Sequence, residues 1–356
     1  MLKPAFPAIK KHMDGLLFLH TADGTAQIQA LCEGAWSYLE ALSVGRFDWV
    51  KVAIPKGPVG LRVTIAQETT PIELPLRGDF ALYRKSLIPV STTISKPILL
   101  VTDLDDTLIS IQSGGPQAME RFFQYWISKR LFTGSKLVYS TGRSYHRYLN
   151  VAKEHGGVLC PDLVVTGVGS QAFTVCPESG LHVPCEDFYK PEDFPGWNFS
   201  LIIQTLKDRF PYITKKPGPD EDTALSVLRE IQPHLATAHF QEVQSHFAAQ
   251  ARTLLSGPLD QVRYIDFIPI GGGKRTSVTY AQRRFGFTWE KTIVAGDSGN
   301  DIDMLEGPES GVIPANCQSE VQQWLQSLPA GNRKYMSQRR FADALVEALE
   351  REEENQ

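Results

Sequence analysis

Four short segments of this chain carry side chains that could together do chemistry on a phosphate ester. The first is DLDDT at residues 103–107, which directly follows the apolar run ILLVT at 98–102. In open α/β sheets ligands bind at the carboxyl ends of the strands, so carboxylates at positions i and i+2 of such a loop can reach one site. One could attack phosphorus to form an aspartyl-phosphate, and the other could protonate the leaving oxygen and then activate water. The alternative is a solvated turn that caps a helix.

The second segment is STGR at residues 140–143, after the apolar run KLVY at 136–139. A hydroxyl and exposed backbone N–H groups at a strand end, close to a helix N-terminus, suit an anion. Thr141 would then donate a hydrogen bond to a phosphoryl oxygen. The alternative is an ordinary turn between a strand and a helix.

The third segment is the glycine-rich GGGK at residues 271–274. It resembles half of a phosphate-binding P-loop, but Ile268 stands where that pattern needs its first glycine, and Arg275 replaces the Ser or Thr. The sequence therefore disfavours a P-loop nucleotide hydrolase. Two interpretations stay open, namely a turn that brings Lys274 to a phosphate and a surface turn with a solvated lysine.

The fourth segment is GDSGND at residues 296–301, after the apolar run TIVA at 292–295. Its carboxylates, Asp297 and Asp301, are spaced to hold a hard divalent cation beside the first aspartates, and Mg²⁺ binds through oxygen ligands. The alternative is an Asp/Gly turn that caps the next helix. A calcium-binding EF-hand loop does not fit, because Pro308 occupies its glutamate position.

The elements that must position these segments alternate between apolar runs and helical patterns. The run at 98–102 is almost uninterrupted, as a central parallel strand should be. This alternation predicts an α/β fold with a doubly wound, Rossmann-like parallel sheet. Further strands are predicted at 136–140, 163–166 and 292–295, and helices at 120–132 and 144–154.

The domain organisation is predicted from where this alternation begins and breaks. Residues 96–171 and 269–350 form the two parts of the sheet core. Residues 172–268 form an inserted α/β unit, with Pro-rich loops and a strand at 262–268. Residues 351–356 are an acidic tail.

Residues 1–95 are predicted to form a small accessory region, α+β or β-rich, which carries none of the four segments. An apolar stripe at helical spacing predicts a helix over residues 25–42. Apolar runs between turn residues predict strands at 49–54, 61–66 and 80–83.

The composition argues against several classes of protein. The net charge of −4 gives no field that would draw the chain to nucleic acid or to an anionic membrane. The apolar runs are all shorter than the roughly 20 residues that span a bilayer. The five cysteines show no C-x-x-C spacing, which disfavours zinc and a redox dithiol. Sparse cysteines suit a reducing compartment, so we expect a cytoplasmic protein, with a plastid location still open.

In their order, and with the insertion between the second and the third, the four segments resemble the motifs of the haloacid dehalogenase superfamily, in the branch with a C2-type α/β cap. The phrases PDLVVTGVGSQ, PGWNFSLI, RFPYITKKP and YIDFIPIGGGK resemble sucrose-phosphate phosphatases, over about residues 97–350. The resemblance implies a magnesium-dependent phosphatase that hydrolyses a sugar phosphate through an aspartyl-phosphate. Residues 172–268 would be the cap that selects the sugar.

The resemblance also implies roles for individual residues. Asp103 would be the nucleophile, and Asp105 would be the general acid and base. Lys274 would bind the phosphate and complete the catalytic set. The other substrate-binding residues would be Thr141, Gly142, Arg143 and Asn300.

The same resemblance implies one bound Mg²⁺. Its ligands would be the side chain of Asp103, the backbone carbonyl of Asp105 and the side chain of Asp297, with Asp301 in support. The partner would be a small-molecule sugar phosphate, and residues 1–95 could engage an enzyme of carbohydrate metabolism.

Three positions depart from the family pattern where the sugar would be read. Ala224 stands where a basic residue precedes an alternating run, Tyr264 where a second Asp precedes Asp266, and Gln171 where a Glu is common. We therefore expect a lower preference for sucrose 6-phosphate than the resemblance alone implies. Two other functions stay open: a catalytically weak protein that binds a sugar phosphate or regulates a partner, and a phosphomutase that uses the same intermediate.

Overall fold

The computed structural model describes most of the chain from residue 96 onward and the strands that precede it. Before residue 96, the described segments are 16–20, 24–32, 35–44, 49–53, 60–65, 68–73, 79–83 and 86–91. Residues 96–354 are described except for 155–157, 176–181, 218–221 and 258–260.

The segments described before residue 96 are strands, which confirms the β-rich form of the predicted accessory region. Their bounds are β1 Leu16–His20, β2 Gly24–Cys32, β3 Ala35–Val44, β4 Trp49–Ala53, β5 Gly60–Ile65, β6 Glu68–Glu73, β7 Asp79–Tyr83 and β8 Ser86–Val90. They form two four-stranded sheets, in the orders β4-β1-β7-β8 and β3-β2-β5-β6.

The helix predicted over residues 25–42 is wrong. The strands β2 and β3 instead pair antiparallel along this segment. The stripe that suggested a helix overlaps a strict alternation, AQIQA at residues 26–30, which favours a strand. Ile28 is completely buried next to the exposed Gln27, as this alternation requires.

From residue 96 the chain alternates strands and helices, as predicted. In chain order the elements are β9 Leu99–Thr102, α1 Gly115–Lys129, β10 Lys136–Ser140, α2 Tyr145–Glu154, β11 Leu163–Thr166, β12 Gln171–Val175, β13 His182–Pro184, α3 Phe199–Arg209, β14 Thr214–Lys215, β15 Val227–Ile231, α4 Pro233–Phe247, β16 Arg252–Ser256, β17 Arg263–Ile268, α5 Lys274–Phe285, β18 Thr292–Ala295, α6 Ile302–Leu305, β19 Ser310–Ile313, α7 Ser319–Ser327, β20 Lys334–Met336 and α8 Ala342–Glu354.

An eight-stranded sheet forms the core, in the order β13-β12-β11-β10-β9-β18-β19-β20. In this spatial order, every pair of neighbouring strands from β11 across to β20 is parallel. The pairs β11–β12 and β12–β13 are antiparallel. One apolar cluster packs α1, α2 and α8 on one face, and a second cluster packs α5, α6 and α7 on the other. The central strand β9 is therefore buried along its whole length, and the predicted doubly wound α/β fold is confirmed.

Between β13 and α5 the chain forms a second unit, residues 197–268, which we call the cap unit. Its antiparallel sheet has the order β14-β15-β17-β16, and α3 and α4 pack on one face through residues such as Val243 and Phe267. The start predicted for this unit, residue 172, has to move, because residue 172 lies in β12 of the core sheet. Positive φ angles at Gly167 and Gly169 allow the tight turn that folds β12 back onto β11.

The unit before residue 96 packs on helix α1 of the core. The Ser91 N–H donates to the Ser128 carbonyl (2.8 Å), and the Ser128 hydroxyl donates to the Pro89 carbonyl (2.7 Å). The rings of Tyr83 and Phe123 meet edge to face, with centroids 6.3 Å apart. The helix that follows the first aspartate segment thus supports the accessory strands.

The acidic residues predicted to form a tail at 351–356 are, as far as Glu354, the end of helix α8. Residues 355 and 356 lie outside the described residues. The carboxylate of Glu353 lies 3.3 Å from the completely buried guanidinium of Arg130. This ion pair holds the last turn of the helix on the core, because a buried charge requires a partner.

Candidate active site

The carboxyl ends of β9, β10 and β18 bring three of the four segments together. Thr102, the last residue of β9, is in register with Tyr139 of β10 and with Ala295 of β18. The loops that leave these strands therefore start side by side. The Asp103 N–H donates to the Ala295 carbonyl (2.9 Å), which holds the first segment against the fourth.

Lys274 reaches the same place from the start of α5. Its ammonium lies 2.6 Å from Asp103 Oδ1 and 2.6 Å from Asp301 Oδ1, and its side chain is 1% exposed. Gly273 has a φ of +108°, and a Cβ there would lie 2.3 Å from Asp303 Oδ2. Glycine is needed at this close approach, and the third segment is not a surface turn with a solvated lysine.

Three buried carboxylates, Asp103, Asp297 and Asp301, offer oxygens within 4.8 Å of one another. The Thr107 hydroxyl donates to Asp297 Oδ1 (2.8 Å). Ser298 donates to Asp301 Oδ2 through both its N–H (2.9 Å) and its hydroxyl (3.0 Å). These hydrogen bonds orient the carboxylates, and an all-oxygen set of this kind suits a hard divalent cation.

Burial and mutual repulsion raise the pKa of two of these carboxyl groups, Asp103 and Asp297. Burial is the largest cause at Asp103, followed by the opposing charge of Lys274 and then repulsion from Asp301 and Asp105, and the pKa of Asp103 is raised to about 8. Burial, Asp301 and Asp103 hold the pKa of Asp297 well above its usual range. Burial lowers the pKa of Lys274, but Asp103 and Asp301 outweigh it and the net pKa is raised. When all three carboxylates are ionised, one ammonium leaves negative charge that a bound cation would neutralise, and the cation would favour the ionised forms.

The side chain of Asp105 binds Arg143. Arg143 Nε donates to Asp105 Oδ2 (2.7 Å), and Nη2 donates to Oδ1 (2.5 Å). The Asp105 side chain is 48% exposed, so it lies on the open side of the site. A bidentate pair of this kind is charge-assisted and geometrically specific. Arg143, predicted to bind substrate, thus holds the predicted acid and base in this structure.

The other predicted substrate-binding residues lie close together at the end of β10. Thr141 is completely buried, and its hydroxyl oxygen accepts from the Arg143 N–H (3.1 Å). A Cβ on Gly142 would lie 3.4 Å from Asn300 Nδ2, so the second and fourth segments are in contact. Asn300 Oδ1 also lies 3.0 Å from the Ser298 hydroxyl, whose single hydrogen is shared between this amide and Asp301.

Four further residues, which were not predicted as site residues, hold the segments of the site in place. Thr107 and Ser298 orient the carboxylates, and both lie inside segments already singled out, so their hydroxyls were a usable signal. Asp303 Oδ2 accepts from the Arg275 N–H (2.8 Å) at the start of α5. Asn316 donates to the Asp106 carbonyl (2.7 Å) and so supports the first segment, although nothing in the surrounding sequence marked it.

The cap unit lies against the strand ends that carry the site. Val168, just after β11, forms a buried apolar cluster with Leu254 of β16 and Ile268 of β17. Side chains alternate along a strand, so Tyr264 and Asp266 share the Ile268 face of β17, opposite to the helix-covered face. That face of the cap sheet is turned toward the core, and Tyr264 and Asp266 are on it.

Of the three positions that differ from the family pattern, Tyr264 and Ala224 contact side chains of the cap unit. The ammonium of Lys216 lies 4.6 Å from the centroid of the Tyr264 ring, within the range of a cation–π contact. Ala224 is exposed, and its carbonyl accepts from Trp197 Nε1 (2.8 Å). Gln171 is exposed at the start of β12 in the core sheet.

Known proteins resemble this chain in sequence over the part that contains the site. The chain is 25% identical to Probable sucrose-phosphatase 3b of Arabidopsis thaliana over 261 residues, covering 71% of this chain and 59% of that protein. It is 26% identical to Sucrose-phosphatase 2 of Nicotiana tabacum over 268 residues, covering 72% and 59%. The chain thus spans about 59% of the length of these curated relatives.

Solved structures agree with the fold. The sucrose-phosphatase of Synechocystis, in complex with sucrose and phosphate, is 26% identical with a TM-score of 0.59, covering 72% of this chain and 98% of that chain. A haloacid dehalogenase-like hydrolase from Bacillus subtilis, 16% identical with a TM-score of 0.51 and covering 74% and 94%, shares the fold. Residues 96–351 match the family described as Sucrose-6F-phosphate phosphohydrolase. This match covers more than half of the chain, which therefore belongs to the sucrose-6F-phosphate phosphohydrolase family of the haloacid dehalogenase superfamily.

Proposed function

We propose that this protein is a magnesium-dependent phosphatase that hydrolyses a sugar phosphate through an aspartyl-phosphate on Asp103. The observation that carries the proposal is the buried contact of Asp103 with Lys274, at 2.6 Å, inside the cluster with Asp297 and Asp301. The family and the sucrose and phosphate bound in the Synechocystis relative support a sugar phosphate as substrate.

The proposed reaction has two steps at phosphorus. An Asp103 oxygen attacks in line, the bond from phosphorus to the sugar oxygen breaks, and Asp105 gives that oxygen a proton. Water then attacks the aspartyl-phosphate, Asp105 takes its proton, and phosphate leaves with Asp103 restored. Lys274 neutralises charge on the phosphoryl oxygens in both steps. Because Asp105 is bound to Arg143 in the structure, its action on the substrate requires that this ion pair open.

The residues present fit a magnesium ion. The three buried carboxylates carry more negative charge than Lys274 neutralises, and their oxygens are hard ligands. Asp103 and Asp297 would hold the ion together with the Asp105 carbonyl. Asp301 would act in support, since its oxygens already accept from Lys274 and Ser298. When bound, the ion would neutralise phosphoryl oxygens and orient them.

The cap unit would select the sugar, because the core residues described above address only phosphate. Its core-facing sheet surface carries Tyr264 and Asp266. Tyr264 offers a ring face and one hydroxyl in place of a carboxylate, which suits stacking on a pyranose better than strong hydrogen bonding. We therefore propose a broader sugar-phosphate specificity than a preference for sucrose 6-phosphate alone.

A phosphate-release screen over a panel of sugar phosphates, with and without Mg²⁺, tests the proposal. We expect magnesium-dependent release of inorganic phosphate from at least one sugar phosphate, and none from the Asp103→Asn variant. Transfer of the phosphoryl group to another sugar hydroxyl would indicate a phosphomutase. Saturable binding of a sugar phosphate without either reaction would indicate a binding or regulatory protein.

Membrane insertion, cellular location and protein partners do not follow from the chemistry of the site. Within the residues that the structure describes, no helix is both long and apolar enough to cross a membrane. The cytoplasmic location stays a prediction. A partner from carbohydrate metabolism at residues 1–95 also stays a prediction, which a pull-down with and without that unit would test.

A further inference from the structure

Asp303, in the short helix α6, connects the cap unit to the helix that carries Lys274. It is 3% exposed, and its Oδ2 accepts from the Arg275 N–H (2.8 Å) in the first turn of α5. Its Oδ1 accepts from Nη1 of Arg252, the first residue of β16 in the cap sheet. One buried carboxylate therefore binds both elements at once.

The same cap strand also touches the loop that carries Asn300 and Asp301. A Cβ on Gly299 would lie 3.1 Å from the Leu255 carbonyl oxygen, so the backbone of β16 lies directly on this loop. Glu306 adds a weaker contact, with Oε2 3.8 Å from Arg252 Nη2. The cap unit is thus seated on the fourth segment at Gly299 and on the residues just after it at Asp303 and Glu306.

The link to the site runs through the first turn of α5. Lys274 is the first residue of that helix, and Gly273 before it lies against Asp303 Oδ2 with no room for a Cβ. The position of this turn sets the distance from the Lys274 ammonium to Asp103, because the lysine side chain is fully enclosed. A shift of Asp303 would therefore move the charge that faces the phosphoryl group.

We propose that Asp303 is a positioning residue that couples the seating of the cap unit to the placement of Lys274, with Arg252 as the cap's half of the contact. This inference rests on the proposed phosphatase function for its kinetic consequence. A second ion pair between cap and core, Arg263 Nη2 with Glu320 Oε1 at 2.7 Å, involves β17 and α7 rather than α5 or α6. It offers a matched control.

The experiment compares kcat and KM of Arg252→Met, Asp303→Asn and their double variant, with Arg263→Met as the control. The substrates are p-nitrophenyl phosphate, which needs no sugar recognition, and the best sugar phosphate of the screen. We expect kcat to fall roughly ten- to a hundredfold in each single variant, as for loss of one charge-assisted hydrogen bond. The double variant should fall no further than the singles, and Arg252→Lys should recover part of the loss. Arg263→Met should keep kcat within about twofold of the wild type, because its partner Glu320 lies in α7 rather than in α5 or α6.

Two results would overturn the inference. One is an unchanged kcat in Arg252→Met, whose side chain is about one-third exposed, measured on protein that a thermal unfolding curve shows to be folded. The other is simple additivity of the two substitutions, which would show that Arg252 and Asp303 act independently.

Amide hydrogen exchange separates this inference from the proposed function. Residues 274–280 should exchange faster in Arg252→Met and Asp303→Asn, and at the wild-type rate in Arg263→Met. This readout needs no turnover. If the wild type releases phosphate from none of the substrates, the proposed function fails, and unchanged exchange in all variants would then contradict the coupling as well.

Discussion

The ammonium of Lys274 lies 2.6 Å from Asp103 Oδ1, and both side chains are almost fully buried. This ion pair is enclosed because the glycine-rich turn delivers the lysine from one side and the central strand delivers the aspartate from the other. Removing the Lys274 charge would leave buried carboxylates uncompensated at low dielectric, which is strongly destabilising in general, whereas removing the Asp103 charge leaves Lys274 paired with Asp301. Substitutions here must therefore be read with a fold control beside the activity measurement.

The first prediction concerns the nucleophile. Asp103→Asn keeps the shape of the side chain and its contact oxygen but removes the attacking charge, so phosphate release should vanish while the fold survives. Phosphate release at saturating Mg²⁺ and a thermal unfolding curve measure the two effects. Asp343→Asn, which alters the partly exposed pair with Arg121, is the matched control and should stay active. Near-normal turnover by Asp103→Asn would remove Asp103 from the mechanism.

The second prediction concerns the metal. EDTA should abolish phosphate release and Mg²⁺ should restore it, whereas Ca²⁺ should support it poorly, because its larger and looser coordination shell misplaces the attacking oxygen. Asp297→Asn should raise the Mg²⁺ concentration needed for half-maximal rate. Asp222→Asn, in the cap unit beside Arg229, should leave that concentration unchanged. Full activity in excess chelator would contradict the prediction.

The sequence was sufficient to predict the core and the meeting of the motif segments at one edge of the sheet, because their signals are local. A buried apolar strand followed at once by polar or glycine residues identifies a strand end, and β9, β10 and β18 place the segments at 103, 140 and 296 side by side. The sequence left two interpretations of the third segment open, and the close approach of Gly273 to Asp303 is known only from the structure.

The sequence was insufficient where partners are distant or patterns coincide. Arg143 and Asp105 are 38 residues apart, and Arg252 and Asp303 are 51 apart, so neither contact has a local signal. The hairpin of β2 and β3 was missed because its apolar residues fit both helical spacing and strand alternation. The strands β12 and β13 were assigned to the cap because no sequence motif marks the turn after which the chain folds back onto the core sheet.

The third prediction separates the two steps of the reaction through Asp105. Asp105→Asn cannot donate a proton to a sugar oxygen or take one from water, so turnover of sugar phosphates should be lost. With p-nitrophenyl phosphate the leaving group needs no proton, and the first step should still occur. Rapid mixing should then show a burst of at most one p-nitrophenolate per chain, followed by a slow phase. Steady turnover of a sugar phosphate at the wild-type rate would contradict this role.

The fourth prediction concerns acid stability and His182 in β13. Its ring stacks on Tyr148 with centroids 5.6 Å apart, and burial lowers its pKa below the usual 6.5. Between the folded and unfolded pKa values the unfolded chain binds more protons, so the free energy of unfolding falls as the pH drops below about 6.5. His182→Phe keeps a ring and should flatten that fall in urea unfolding between pH 5 and 7.5. His234 is exposed, and His234→Phe is the control that should leave the fall unchanged. An unchanged pH slope in His182→Phe would contradict the assignment.

The last prediction concerns sugar specificity and Tyr264. A lost hydrogen bond to a buried sugar hydroxyl costs roughly 1–3 kcal/mol, about one or two orders of magnitude in rate. Since Tyr264 replaces a carboxylate and lies under the Lys216 ammonium, we expect kcat/KM for sucrose 6-phosphate to exceed that for glucose 6-phosphate by less than about a hundredfold. Tyr264→Phe should change this ratio little if the ring stacks on the sugar, whereas Tyr264→Ala should lower kcat/KM for both substrates. A preference for sucrose 6-phosphate well above a hundredfold would show that other cap residues read the disaccharide, because one lost contact cannot account for it.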